Sequence, residues 1–271
     1  MLYSKEVSVS WNRLYGWRAG TRYIEPGASA VDVIRYEREE LGNNLDVPDF
    51  LLEELAQKQV RARDVVWVCR TREHARRYGG RGVGQPYKED IGPNALILTT
   101  DHEPETGYLV LSDATLLDPS VVQRFAVYRQ REKMLAAMVP QVEDFLREAE
   151  SHRIYRQWVY ADTMRVYLRK SQRLHEGERR QCLDIATIEV AEGHARLGLF
   201  TAFTLKAHEL HSWDATYLEH ANSIIQRWCV KRGWTNDPGT FPPSFYLFKK
   251  QPESPPAISL PRSTPRRRRS G

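Results

Sequence analysis

Long apolar runs are missing from these 271 residues. No stretch approaches the roughly 20 consecutive apolar residues that a membrane-spanning helix needs, and the opening MLYSKEVSVSWNR lacks the apolar core of a secretory leader. The expectation is therefore no membrane partner and a cytoplasmic location. Cysteine is scarce as well: Cys69, Cys182 and Cys229 are far apart, with no CxxC or Cys/His spacing. They read as reduced core thiols, not as disulfides or zinc ligands. The eight histidines form no ligand cluster; His208 and His211 are three apart on an expected helix with no third ligand in view, so no metal is expected. Disorder is excluded for most of the chain, because 41% hydrophobic residues and seven Trp supply material for real cores.

Charge is concentrated at one end. The chain carries a formal net charge of +5, yet residues 251–271 hold five Arg (Arg262, Arg266, Arg267, Arg268, Arg269) against Glu253 alone, which leaves the other 250 residues near +1. This stretch, QPESPPAISLPRSTPRRRRSG, is rich in Pro and Ser and reads as a disordered tail. It suits either attraction of nucleic acid through counterion release or a simple solubilising end.

The length suits two domains of ordinary size, and the pattern divides accordingly. Over residues 1–118, strand-like runs (DVVWVCRT, ALILTT, YLVLSDATLL) alternate with helix-like ones. VPDFLLEELAQKQ has Leu51, Leu52 and Leu55 at helical spacing with Asp46 or Asp49 placed to cap it. TREHARRYGG reads as a short helix begun by Thr71, and GGRGVGQPYKEDIGP as a loop. From Pro119 to about Glu150 the pattern is helical, with Val122, Phe125, Ala126, Leu135 and Met138 on recurrent faces and a break expected at Pro140. Then follow MRVYLRKS, a charged turn RLHEGERRQ, the apolar strand CLDIATIEV, and a glycine turn opening a helix with Phe200, Phe203, Ala207 and Leu210. A strand ATYLEH, a helix NSIIQRWCVKRG and a strand SFYLFKK complete an α/β (α+β) run without repeats.

The turn GHARLGLFTAF invites a functional reading, since glycines between a strand and a helix let backbone N–H groups cradle an anion. In ANSIIQRWCVKRGW, Asn222 is followed at fixed spacing by Lys231 and by Gly233-Trp234. Taken together, these two patterns resemble the GNAT acyltransferase superfamily over roughly residues 125–250, most nearly its small bacteriophage members. That family runs V-x-P, then R/Q-x-x-G-x-G/A, then N-x-x-A, an aromatic, K and G-F. Aligned on Val190, Gly198 meets the required glycine. Ala195 stands where the basic residue belongs, Arg196, Leu197 and Leu199 fill variable positions, and Phe200 occupies a normally small one.

The resemblance implies a mixed sheet flanked by helices over residues 119–250, with acetyl-CoA as cofactor. Its pyrophosphate would lie on the turn formed by Arg196, Leu197, Gly198, Leu199 and Phe200. Its pantetheine arm would pair with the strand carrying Ile188 and Val190 where that strand splays from Ala215–Glu219, and Asn222 would complete the cofactor site. Acyl transfer to a primary amine, on a small molecule or a protein, needs a base and an acid. The candidates are Glu219 first, then Asp184 or Glu189, as base. Cys229 stands where the family often has a Tyr acid, and Tyr217 or a water is the substitute for it.

Residues 1–118 more faintly resemble ADP-ribosyltransferase-like domains. RLYGWRAG echoes their opening Y-H-G-T stretch and VWVCRTREHARRYGG a later strand and A-x-x-Y helix, so that Tyr15, Arg18, Thr71 and Tyr78 carry over. Gly16 and Trp17 stand where His and Gly would hold a nicotinamide ribose, and Glu103 and Glu105 are the nearest acidic candidates. Two further functions thus stand beside the acyltransferase. One is a nucleic-acid-associated or DNA-modifying phage protein on a GNAT-like scaffold, working in a host cytoplasm. The other is an NAD-dependent ADP-ribosyltransferase.

Overall fold

The computed structural model describes residues 10–12, 16–19, 22–24, 28–39, 47–69, 92–98 and 107–249. The chain is α+β, and it divides into two compact units: Met1–Ala137 with His194–Leu199, and Met138–Gly193 with Phe200–Gly271.

In the first unit, β1 (Ser10–Asn12), β2 (Gly16–Ala19) and β3 (Arg22–Ile24) form an antiparallel meander. Helix α1 (Ala30–Glu39) starts at a reciprocal cap: Asp32 N–H donates to Ser29 Oγ at 3.2 Å, and Ser29 N–H donates back to Asp32 Oδ2 at 3.1 Å. This S-x-x-D arrangement satisfies two backbone donors at once. Helix α2 (Asp49–Gln57) has Pro48 at its N-cap and no side-chain cap. Asp49 is therefore the first helical residue instead of the cap, its charge still favourable beside the positive end of the helix dipole. Strands β4 (Val65–Cys69), β5 (Leu96–Ile97) and β6 (Gly107–Leu111) form an antiparallel sheet in the order β4-β6-β5. Ile34, Leu51, Leu55, Val65, Leu109 and Leu111 make its core with Phe125 from the next helix.

That helix, α3 (Pro119–Glu150), runs unbroken through Pro140, against the expected break. The proline removes one N–H from the ladder and costs about 3 kcal/mol in an isolated helix. Burial of Met138, Val142, Phe145, Leu146 and Ala149 around it more than offsets that loss. The two units part at Ala137 and Met138, inside α3.

In the second unit, six strands lie in the order β11-β12-β10-β9-β8-β7. These are β7 (Arg156–Ala161), β8 (Met164–His175), β9 (Glu178–Val190), β10 (Ala215–Leu218), β11 (Thr235–Asp237) and β12 (Ser244–Phe248), with α4 (Leu199–Leu210) and α5 (Ser223–Lys231) between them. Every pairing is antiparallel except β9 with β10. The expected long charged turn shrinks to Glu176-Gly177, whose φ of 50° and 84° match the two-residue turn that suits strand twist. At the outer strand β7, the Gln141 carboxamide accepts from Tyr160 N–H at 3.0 Å and donates to Tyr160 C=O at 2.7 Å. On one sheet face, His208 of α4 and His211 just past its end both bond Thr216 Oγ1, at 2.9 and 2.7 Å. Because side chains alternate along a strand, Tyr217 points to the opposite face.

Candidate functional site

Opposite that helix-covered face, a strand of alternating residues on β8 (Arg169, Ser171, Arg173) lies across from Asp184 on β9 and Tyr217 on β10. Asp184 is fully buried, and an ionised carboxylate survives there only with partners. It accepts from Ser171 Oγ at 2.6 Å and from Arg173 twice, at 3.2 Å through Nε and 2.6 Å through Nη2. The same Nη2 reaches Glu219 Oε1 at 2.5 Å, and Arg169 bonds Glu219 as well. Tyr217 donates to Asp237 Oδ2 at 2.8 Å.

Burial raises the Asp184 carboxyl above its usual range, with the bonds from Arg173 pulling the other way. Burial also opposes the charge on Arg173, but its bonds to Asp184 outweigh this and raise it. Burial pushes the Tyr217 phenol up to about 12, so it holds its proton at neutral pH.

Three of the catalytic candidates, Glu219, Asp184 and Tyr217, are thus brought together around Arg173. Cys229 is apart from them: it is fully buried on α5, and burial pushes its thiol up to about 12. Glu189 lies opposite Arg165 on β8 and pairs with it through Nε at 2.7 Å and Nη2 at 2.5 Å.

The sheet opens beside this cluster. The parallel ladder runs from the Cys182–Ala215 pair to the Ile185–Leu218 pair and stops, with Glu219 N–H donating to Ile185 C=O at 3.2 Å as its last rung. Next on β9, Tyr167 pairs with Thr187 while Leu168 pairs with Ile185, so Ala186 is an extra residue that bends the strand. Thr187, Ile188, Glu189 and Val190 keep their pairing to β8 and have none to β10.

The chain then enters the turn, where Gly193, Arg196 and Gly198 have φ of 80°, 67° and 76°. Leu197 and Gly198 are held from α3: Arg131 donates through Nε to Leu197 C=O at 2.5 Å, and a Cβ on Gly198 would lie 2.5 Å from Arg131 Nη2. Glycine is required here both for the left-handed backbone and for the approach of the guanidinium. Helix α4 begins at Leu199, whose side chain is buried, and the Phe200 ring packs edge-on against Trp228 at 4.8 Å. An aromatic residue at this position is explained by that contact.

The pattern from Asn222 to Trp234 has a local explanation. Asn222 caps α5, accepting from Ile224 and Ile225 N–H at 3.1 and 3.0 Å, and Lys231 sits in the last turn. Gly233, at φ 73°, supplies the left-handed residue that ends a helix, and Trp234 folds back into the core.

Arg169, Ser171, Arg173, Arg131 and Asp237 were not among the sequence candidates. An acid inside the apolar run CLDIATIEV, preceded by two arginines four apart on one strand face, is the signal that marks the first three. Arg18 lies on β2; Tyr15, Thr71, Tyr78, Glu103, Glu105, Asp46 and the 251–271 tail lie outside the described residues. Among the described residues no helix is long and apolar enough to cross a membrane. Compared with known proteins, the chain matches no family model and no curated protein.

Proposed function

We propose that the chain is an acyl-coenzyme A-dependent N-acyltransferase acting on a primary amine. The observation that carries the reading is the parting of β9 from β10 after Ile185 and Leu218, with the bulge at Ala186. It leaves the backbone of Thr187–Val190 unladdered on one side, and an open strand edge is a template for an extended, amide-bearing arm. The sheet order, with its single parallel pair, and the glycine turn leading into α4 support the same reading. At the turn, the first N–H groups of α4 have no intrahelical acceptors. The donor set suits phosphate oxygens.

When bound, the cofactor supplies an acyl thioester. This chain's part is to hold the amine and take its proton. Glu219 is the base in this reading: it stands just past the last rung of β10, its side chain is 17% exposed, and Arg169 and Arg173 fix its orientation. Asp184 and Cys229 are sealed in the interior, and Tyr217 is committed to Asp237. Asp184 therefore positions Arg173, and a proton for the leaving thiolate would have to come from water.

Calorimetry with acetyl-CoA tests the cofactor. Saturable binding is expected, and silence at millimolar concentration would sink the reading. With a panel of amines, thiol release should fall in Glu219→Gln while acetyl-CoA binding persists; unchanged turnover would remove Glu219 from the role of base.

A further inference from the structure

A second candidate site lies in the first unit, against the α3 face that carries Ser120, Gln123, Arg124, Tyr128 and Arg131. With Phe50 of α2 these residues line an open groove of about 580 Å³, within the roughly 300–1,000 Å³ typical of small-molecule sites. Its chemistry is one-sided: two arginines, two aromatic rings, a hydroxyl and a carboxamide line it, and among the described residues no carboxylate does.

The arginines have capacity to spare. Arg124 places its guanidinium 3.9 Å over the Phe50 ring and has no hydrogen-bond or ion-pair partner among the described residues. Its outer face is open for stacking, and its N–H donors lack acceptors. Among the described residues Arg131 spends only Nε, on Leu197 C=O, which leaves the N–H groups of both terminal nitrogens. Phe50 is held edge-on by Tyr128 at 6.2 Å and 82°, so the platform under Arg124 is fixed from two sides.

A planar guanidinium on an aromatic ring, facing outward, stacks a heterocyclic base. A second guanidinium one to two turns along the same helix face then meets a phosphate bidentately. We infer that the groove binds a phosphorylated nucleoside, with its base stacked on Arg124 over Phe50 and its phosphates on Arg131. A simple anion site would not need the Phe50–Arg124 stack, and an apolar ligand would leave the guanidinium donors that face it without acceptors. The site is built from first-unit residues and does not depend on the acyltransferase reading.

The test uses the full-length chain and calorimetric titration with ADP, adenosine and inorganic pyrophosphate in parallel, with no acyl-CoA present. ADP should bind, and adenosine and pyrophosphate should each bind at least about ten-fold more weakly, because each lacks one half of the recognition. Arg124→Gln and Phe50→Leu should each weaken ADP about ten-fold while leaving pyrophosphate unchanged. Arg131→Gln should weaken both ADP and pyrophosphate. Melting temperatures identify any variant that fails to fold, and Arg124→Gln, at an exposed position with no other partner, is the variant least exposed to that failure. No ADP binding, equal affinity for pyrophosphate and ADP, or ADP binding indifferent to Arg124→Gln would each overturn the assignment. So would binding confined to a single-stranded oligonucleotide, since that is a different class of ligand.

Discussion

The guanidinium of Arg173 lies 3.6 Å over the ring of Tyr217. One side chain therefore meets the buried carboxylate of Asp184, the half-buried one of Glu219 and the face of the phenol, and ties all three together.

Removing that tie should be expensive. Arg173→Met leaves Asp184 buried without its bidentate partner, and stability should fall by about 3–5 kcal/mol, the usual penalty for stranding a buried charge. The double variant Arg173→Met with Asp184→Leu should recover a large part of that loss. Urea unfolding measures both, and a single variant that costs under 1 kcal/mol would show that water reaches Asp184.

Acid should weaken the second unit through His208 and His211, at the end of α4 and just past it. Burial lowers His208 to about 4 and His211 to about 3, whereas an unfolded histidine titrates near 6.5. The unfolded chain therefore binds more protons below that pH, so this contribution to stability is complete above about pH 6.5 and declines as pH falls towards 3–4. For buried His211 the slope is on the order of 1 kcal/mol per pH unit. A stability profile of His211→Leu between pH 7 and pH 4 should be flatter than that of the parent; a profile of equal steepness would place the acid sensitivity elsewhere.

At the turn, Gly198→Ala should cost about 1–2 kcal/mol for the left-handed backbone alone, with a further cost from collision with Arg131. Repeating the substitution in an Arg131→Ala background removes the collision and keeps the backbone strain. A double-mutant cycle should accordingly show a coupling of about 0.5 kcal/mol or more, and strict additivity would mean that Arg131 swings clear.

Asn222 separates capping from cofactor binding. Asn222→Ala should destabilise by about 1 kcal/mol through loss of the cap, while Asn222→Asp keeps an acceptor for Ile224 and Ile225 N–H and should cost little. If acetyl-CoA binding follows the cap in this pair, Asn222 acts only by holding α5; if Asn222→Asp also loses binding, the amide has a direct role.

Much of the fold is legible locally, because strand and helix periodicities need only the residues that form them. The helix from Leu199 and the strand from Ala215 emerge close to their limits, while CLDIATIEV gives the end of β9 but not its start at Glu178, which lies in the charged stretch that reads as a turn. Pro140 misleads, since its local cost is overruled by burial along α3 that no window of sequence displays. β7, whose burial is irregular, and β11, three residues long, carry too little pattern to register. For the candidate site, Glu219, Asp184 and Tyr217 stand out as polar groups on apolar strands, but their organiser, Arg173, lies on another strand and is joined to them only by the register of β8 against β9. The spacing from Asn222 to Trp234 teaches a different lesson: a pattern that suggests a cofactor is also what a well-capped helix requires at its two ends.

The pairing of Gln141 with Tyr160 reaches beyond the single chain. A side-chain amide that both accepts from and donates to one residue of an outer strand mimics a peptide group and occupies the place where another molecule's backbone would dock. Edge-to-edge polymerisation through β7 must first evict it, so Gln141 guards this protein against aggregation at a cost of one residue.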